Sequence, residues 1–167
     1  MDALLKLLKK NARLSNAELA VMLGITENEV ADKIEQLEND GIIKGYNTVI
    51  NEQAAVDCGD LVTAYIELKV SPRAQSGFDE IARTVSQYDE VESVWLMSGA
   101  YDLGITIKGT NLMDISLFVA QRLAPLDGVL STATHFVLKK YKDNGIDLSD
   151  EIIDERGLVS PWWIIIK

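Results

Sequence analysis

The sequence predicts an α+β protein in two parts, on three observations. Apolar residues recur at helical spacing through the first forty positions, where two Ser/Thr-x-x-Glu starts flank a glycine. A polar, acidic stretch at residues 51–60 then breaks the pattern. Beyond it, strand-like and helix-like segments follow in the order strand, helix, strand, strand, helix, strand. A chain of 167 residues has room for two modest cores.

Residues 2–11 carry Leu4, Leu5, Leu7 and Leu8 at helical spacing, with Lys6, Lys9 and Lys10 as polar partners. Ser15-Asn16-Ala17-Glu18 is a capping box, in which the Ser and Glu side chains satisfy free backbone donors at the start of a second helix. Leu19, Ala20 and Leu23 form its apolar face, and Gly24 stops it. Thr26-Glu27-Asn28-Glu29 repeats the box and starts a third helix with Val30, Ile34 and Leu37 inward. Leu23-Gly24-Ile25-Thr26 is the short glycine-containing turn that sets two helices at a steep angle. Asn39-Asp40-Gly41 ends the third helix, and residues 42–50, broken at Gly45, read as two short strands. Three helices, the last two tightly joined, followed by a small hairpin, make a winged helix-turn-helix over residues 1–50. A three-helix cap without a ligand has the same periodicity, because amphipathic helices by themselves report only a core.

Residues 51–60 read as a linker. Leu61 to Val70 is rich in β-branched residues and stops at Ser71-Pro72. Ser76-Gly77-Phe78-Asp79 opens a helix with Ile81, Ala82 and Val85 inward. Strands at 91–97 and 103–108 are separated by Ser98-Gly99-Ala100-Tyr101-Asp102. Thr110 is expected to cap a longer helix through Ile115, Phe118, Val119 and Leu123, closed by Pro125 and Gly128, and residues 129–140 form the last strand. This is the ferredoxin-like βαββαβ order over residues 61–141, an antiparallel sheet with both helices on one face. Val94, Leu96, Ile105, Ile107, Phe136 and Leu138 are too many apolar side chains for one side of so small a sheet, so its second face is expected to be covered by another copy.

The charge argues against nucleic acid. The net charge is −10, and no segment is basic: residues 1–50 carry 6 basic and 8 acidic groups. No apolar run reaches the roughly 18 residues of a membrane span, and no signal-peptide pattern opens the chain, which makes a cytoplasmic protein the expectation. The single Cys58 makes no internal disulfide. His135 is the only histidine and has no companion for a metal, so no cofactor is expected. No nucleophile with a base and no phosphate-cradling loop is visible, which argues against an enzyme.

Several passages resemble the Lrp/AsnC family, the leucine-responsive or feast-famine regulators. Leu14-Ser15-Asn16-Ala17-Glu18-Leu19-Ala20 is similar to the start of that family's second helix. Ile34 through Tyr46, reading IEQLENDGIIKGY, is similar to its passage from recognition helix to wing. Ser98-Gly99-Ala100-Tyr101-Asp102 resembles its glycine-x-aromatic-aspartate loop, and Gly128-Val129 through Thr132, Thr134 and Leu138 its last strand. The resemblance covers roughly residues 1–145. It implies a DNA-binding regulator of amino-acid metabolism or transport genes, a free amino acid as effector, and a homodimer that assembles further to a tetramer or octamer.

In a helix-turn-helix the second helix enters the major groove. The candidate DNA-binding residues are Arg13, Thr26, Asn28, Glu29, Asp32, Lys33 and Lys44. Asn28 suits adenine, and a carboxylate can accept from the cytosine amino group. Family members commonly carry arginines on this helix. Here Glu27, Glu29, Asp32, Glu35 and Glu38 outnumber Lys33. Glu29 belongs to the capping box and Glu27 suits the helix start; Asp32, Glu35 and Glu38 have no such role. The alternative is therefore an amino-acid sensor or assembly module of the same fold, with weak or lost DNA binding.

For the effector, Ser98, Gly99, Ala100, Tyr101, Asp102, Thr132 and Thr134 are the candidate ligand-binding residues. Asp102 offers an acceptor for an ammonium group, and amides around Gly99 and Ala100 offer donors for a carboxylate. The threonines match ligand-contacting positions of the family. The competing reading is a tight turn capped by Asp102, with the threonines as ordinary strand formers. Residues 142–167 read as an acidic tail, with one helical turn at most, ending in apolar Trp162-Trp163-Ile164-Ile165-Ile166. That end is expected to pack within the assembly.

Overall fold

The computed structural model describes residues 2–51, 61–71 and 77–148. The chain divides into two compact units, Met1–Thr48 and Val49–Lys167. The linker at 52–60, the Ser76 helix start and the apolar end of the tail lie outside the described residues. Among the described residues, no helix is long and apolar enough to cross a membrane.

The first unit is built of α1 (Ala3–Lys10), α2 (Asn16–Leu23) and α3 (Glu27–Asn39). Each helix starts where a short polar side chain can accept from the free backbone: Asp2 from Leu4, Ser15 from Glu18 and Thr26 from Glu29. Both capping boxes are complete. Gly24 ends α2 at φ 68°, a left-handed conformation that costs an L side chain about 1–2 kcal/mol. Leu4, Leu8, Leu19, Ala20 and Val30 form the core, with Ile34 and Leu37 packed against it.

The expected wing hairpin is not formed. Residues 42–50 contain no strand. Arms this short offer too few cross-strand pairs to hold themselves. Instead the segment is pinned to the end of α3. The Ile42 and Ile43 amides both donate to the Leu37 carbonyl, at 2.9 and 3.0 Å, and the Tyr46 hydroxyl donates to Glu38 Oε1 at 2.8 Å.

The second unit has β1 (Val62–Val70), α4 (Asp79–Val85), β2 (Val91–Leu96), β3 (Leu103–Gly109), α5 (Leu112–Phe118) and β4 (Val129–Phe136). The antiparallel sheet runs in the order β2-β3-β1-β4, as the ferredoxin-like reading requires. Asn111, one residue after the expected Thr110, caps α5 by accepting from the Asp114 amide. Thr110 bonds the Asp114 carboxylate instead. The helix then widens into one π turn at Val119–Leu123, closed by Ala124 donating to Val119.

The sheet's two faces differ from expectation. Val94 pairs with Ile105, Ile107 with Ala64, and Ala64 with Phe136, so these side chains share the helix-covered face with Ile66 and Leu68. Residues two apart along a strand share a side, and the register aligns them. Leu96 is on that face but exposed at its end, and Leu138 lies beyond β4 and is exposed. The open face carries Tyr65, Glu67 and Lys69 from β1, Trp95, Thr106 and His135. Five of the six apolar residues that pointed to a covering copy thus lie on the helix-covered face, and Trp95 is the half-exposed apolar ring on the open one.

A two-residue ladder, β5 (Lys142–Asp143) with β6 (Ile146–Asp147), forms at the start of the expected acidic tail. Its turn is Asn144-Gly145, both at positive φ, the pairing that two-residue hairpins favour. That dipeptide was the overlooked signal.

Candidate functional site

Two places hold the candidate residues, one in each unit. On α3, Asn28, Glu29, Asp32 and Lys33 are all exposed, while Val30 is buried and Ile34 and Leu37 half-buried on the opposite side. Asn28 with Asp32, and Glu29 with Lys33, are neighbours one turn apart. Thr26 and Glu29 are tied to each other: Thr26 N and Oγ1 each donate to Glu29 Oε2 at 2.8 Å. Those bonds hold the Glu29 carboxyl below its ordinary range. Its charge serves the start of the helix.

Arg13 lies between α1 and α2, with its backbone amide on Asn11 Oδ1 at 3.0 Å. Lys44 comes from the strap after α3. Together with Lys9, Leu5, Leu8 and Ile42 it lines a groove of about 380 Å³. Glu38, an acid with no role visible in the sequence, is the acceptor that anchors Tyr46. Asp32 and Glu35 stay exposed on α3.

In the second unit, Leu96, Leu103, Leu68 and Thr132 form one rung across all four strands. The Ser98–Asp102 loop leaves this end of the sheet. Ser98, Gly99 and Ala100 are exposed; Tyr101 and Asp102 are half-buried. Asp102 is fixed by three bonds. Its Oδ2 accepts from Val70 N at 2.8 Å, its amide donates to the Leu68 carbonyl at 2.9 Å, and its carbonyl accepts from Met97 N at 2.8 Å. The β1–β4 register shifts between Lys69 and Val70, where the Val70 amide turns to Asp102. Asp102 thus caps the end of β1, leaving Oδ1 as the side-chain oxygen outside that bond.

Thr132 and Thr134 lie opposite Leu68 and Ile66, half-buried on the helix-covered face. They share a face as expected. The structure brings Asp102 and Thr132 to the same end of the sheet, whereas β2 and β4 are opposite edges, about 14 Å apart at typical strand spacing. Asp102, bonded to Leu68 and Val70 of β1, lies one strand away from Thr132, whereas the exposed Ser98–Ala100 tip belongs to the β2–β3 connection. At Gly99, φ is not positive and an added Cβ would meet no described atom within 4 Å.

Sequence reasoning missed Tyr65. Its hydroxyl lies 2.8 Å from that of Tyr101, and its ring centroid lies 6.3 Å from Trp95. Desolvation, then the bond to Tyr101 and the nearby Tyr101 and Glu67 charges, push its hydroxyl up to about 12. On the same face His135 Nε2 lies 3.3 Å from Glu67 Oε1.

Two family models match: a winged helix-turn-helix DNA-binding model over residues 3–44, and the Lrp/AsnC ligand binding domain over residues 63–146. The uncharacterized HTH-type transcriptional regulator YugG of Bacillus subtilis is 43% identical over 158 residues, covering 95% of each chain. The leucine-responsive regulatory protein of Escherichia coli K12 is 26% identical over 137 residues, covering 82% of each. Among solved structures, the transcriptional regulator NMB0573 of Neisseria meningitidis, in complex with L-methionine, superposes with a TM-score of 0.67 at 26% identity. That match covers 86% of this chain and 93% of that one.

Proposed function

The chain belongs to the Lrp/AsnC family of transcriptional regulators, and on that premise we propose that it reads DNA through α3 and answers to a free amino acid held at the Ser98–Asp102 loop. The observation that carries the DNA reading is the left-handed Gly24 turn between two fully boxed helices, inside the segment that matches the DNA-binding model. Asn28, Asp32 and Lys33 are the side chains we assign to base edges. Arg13 and Lys44 go to phosphates, and Thr26 with Glu29 to the shape of the helix start. The unit's charge of −2 makes a single copy a weak binder, so several copies act together.

The effector reading rests on Asp102 and Gly99. The ammonium goes to Asp102 Oδ1, and the carboxylate to the amides of Gly99 and Ala100, where a bare glycine permits close approach. Thr132, one strand from the Asp102 anchor on β1, and Thr134 are assigned to the rest of the ligand. L-methionine, bound by the Neisseria regulator, is the first ligand to try.

A homodimer is part of this reading, and we assign the open sheet face to it. Glu67 and Lys69 lie two apart on β1, so a two-fold copy running antiparallel sets each lysine near the other's glutamate. Further assembly to a tetramer or octamer, and a place in the cytoplasm, belong to the same reading, with the family membership in their support. The reading is of a regulator and not an enzyme, controlling genes of amino-acid metabolism or transport.

The test is a fluorescence-anisotropy titration against DNA from upstream of the protein's own gene, with a scrambled control, at two salt concentrations and with L-methionine. Sequence-preferring, salt-sensitive binding is expected. No preference at low salt, with or without ligand, would leave the sensor or assembly module, which the exposed Asp32 and Glu35 on α3 favour.

A further inference from the structure

We propose that Tyr65 is a positioning residue of the effector loop, holding Tyr101 from the open face of the sheet and keeping Ser98–Asp102 in its receiving conformation. The inference rests on the effector reading above. Tyr65 and Tyr101 are 36 positions apart, yet their hydroxyls meet at 2.8 Å in a half-buried setting. Such a contact needs Tyr65 to lie down across β3, and the residue beneath it is Gly104. Any larger residue there would lift the ring. Trp95, the β2 partner of Gly104, walls one side of the slot and Tyr101 meets Tyr65 edge-on at 6.2 Å.

Residue 101 is held by Tyr65 and residue 102 by Val70, so the second half of the loop is fixed on β1 twice. The exposed first half, with Gly99, is left to adapt to a ligand. Because Tyr65 faces the open side, whatever covers that face meets the same ring.

The test titrates the full chain and its Tyr65→Phe, Tyr101→Phe and double variants by calorimetry with L-methionine and each other proteinogenic L-amino acid. Tyrosine near-ultraviolet difference spectra and melting temperatures are recorded alongside. The expected result is an amino acid that binds the wild type and perturbs its tyrosine absorption. Tyr65→Phe should weaken that affinity roughly two- to tenfold at nearly unchanged melting temperature. Tyr101→Phe removes the same bond from the loop side, and the double variant should lose no more than either single one. Unchanged affinity in Tyr65→Phe, or additive losses in the double variant, overturns the role of Tyr65 and leaves the effector reading standing. Failure of every amino acid to bind the wild type overturns both.

Discussion

Tyr65 lies over Gly104 so closely that a methyl group at position 104 would overlap the tyrosine hydroxyl and come within 2.9 Å of the ring carbon that bears it. The pair is a cross-strand fit between a large side chain on β1 and an absent one on β3. Gly104→Ala is expected to cost about 1–3 kcal/mol in urea unfolding, as overpacking does. In a Tyr65→Ala background the same change should cost less than half as much. Equal costs in both backgrounds would show that Gly104 is needed for something other than this fit.

The Tyr65 hydroxyl should be the late one in an alkaline titration. Its value is raised to about 12, so the neutral form is the one the fold favours. The associated stability is fully present below about 10, the ordinary tyrosine value, and is lost as pH rises through about 12. Tyr101→Phe removes the second-largest cause and should bring the late step earlier in an ultraviolet titration. An unmoved late step would assign it to another tyrosine.

The two capping boxes make helix content sensitive to acid. Bonds from Ser15 and Thr26 lower the Glu18 and Glu29 carboxyls below 4.5. Stabilisation from a lowered carboxyl is present above the unfolded value and lost as pH falls through the folded one. Thermal melts followed by circular dichroism should drop in midpoint across that acid range, and Glu18→Gln with Glu29→Gln should flatten the drop. Ser15→Ala and Thr26→Ala should each cost about 1 kcal/mol at neutral pH.

Lys33 is the lone cation among five acids on the outward face and ends of α3. Lys33→Glu should abolish DNA preference in the anisotropy assay without altering the sedimentation profile. Lys44→Ala should weaken all DNA sequences alike and reduce the log–log salt slope by about one. Full affinity after Lys33→Glu would place the reading surface off α3.

Asp102→Asn separates the two roles of that side chain. The amide oxygen still accepts from Val70 N, so the end of β1 stays capped, while the charge that attracts an ammonium is lost. Amino-acid binding by calorimetry should fall by at least tenfold, with melting within a few degrees of wild type. Asp102→Ala loses both roles and should also melt lower. Intact binding in Asp102→Asn moves the ammonium site elsewhere.

The starts of α2 and α3, the glycine stop at position 24, the βαββαβ order of the second unit and the family were legible in the sequence. Each rests on energies settled within a few residues: Ser15 with Glu18, Thr26 with Glu29, a positive φ at Gly24. Asn144-Gly145 was equally local and equally readable. What the tertiary structure alone decided is which partners distant residues meet. The same alternation that marked Val94, Ile105, Ile107 and Phe136 as apolar did not say that register would align them on one face. Nothing near Asp102 in sequence names Val70 as its donor, and nothing near Tyr101 names Tyr65. The reason is physical: caps and turns are fixed by neighbours along the chain. Faces, registers and cross-strand contacts are fixed by burial summed over strands that the chain brings together only when it folds.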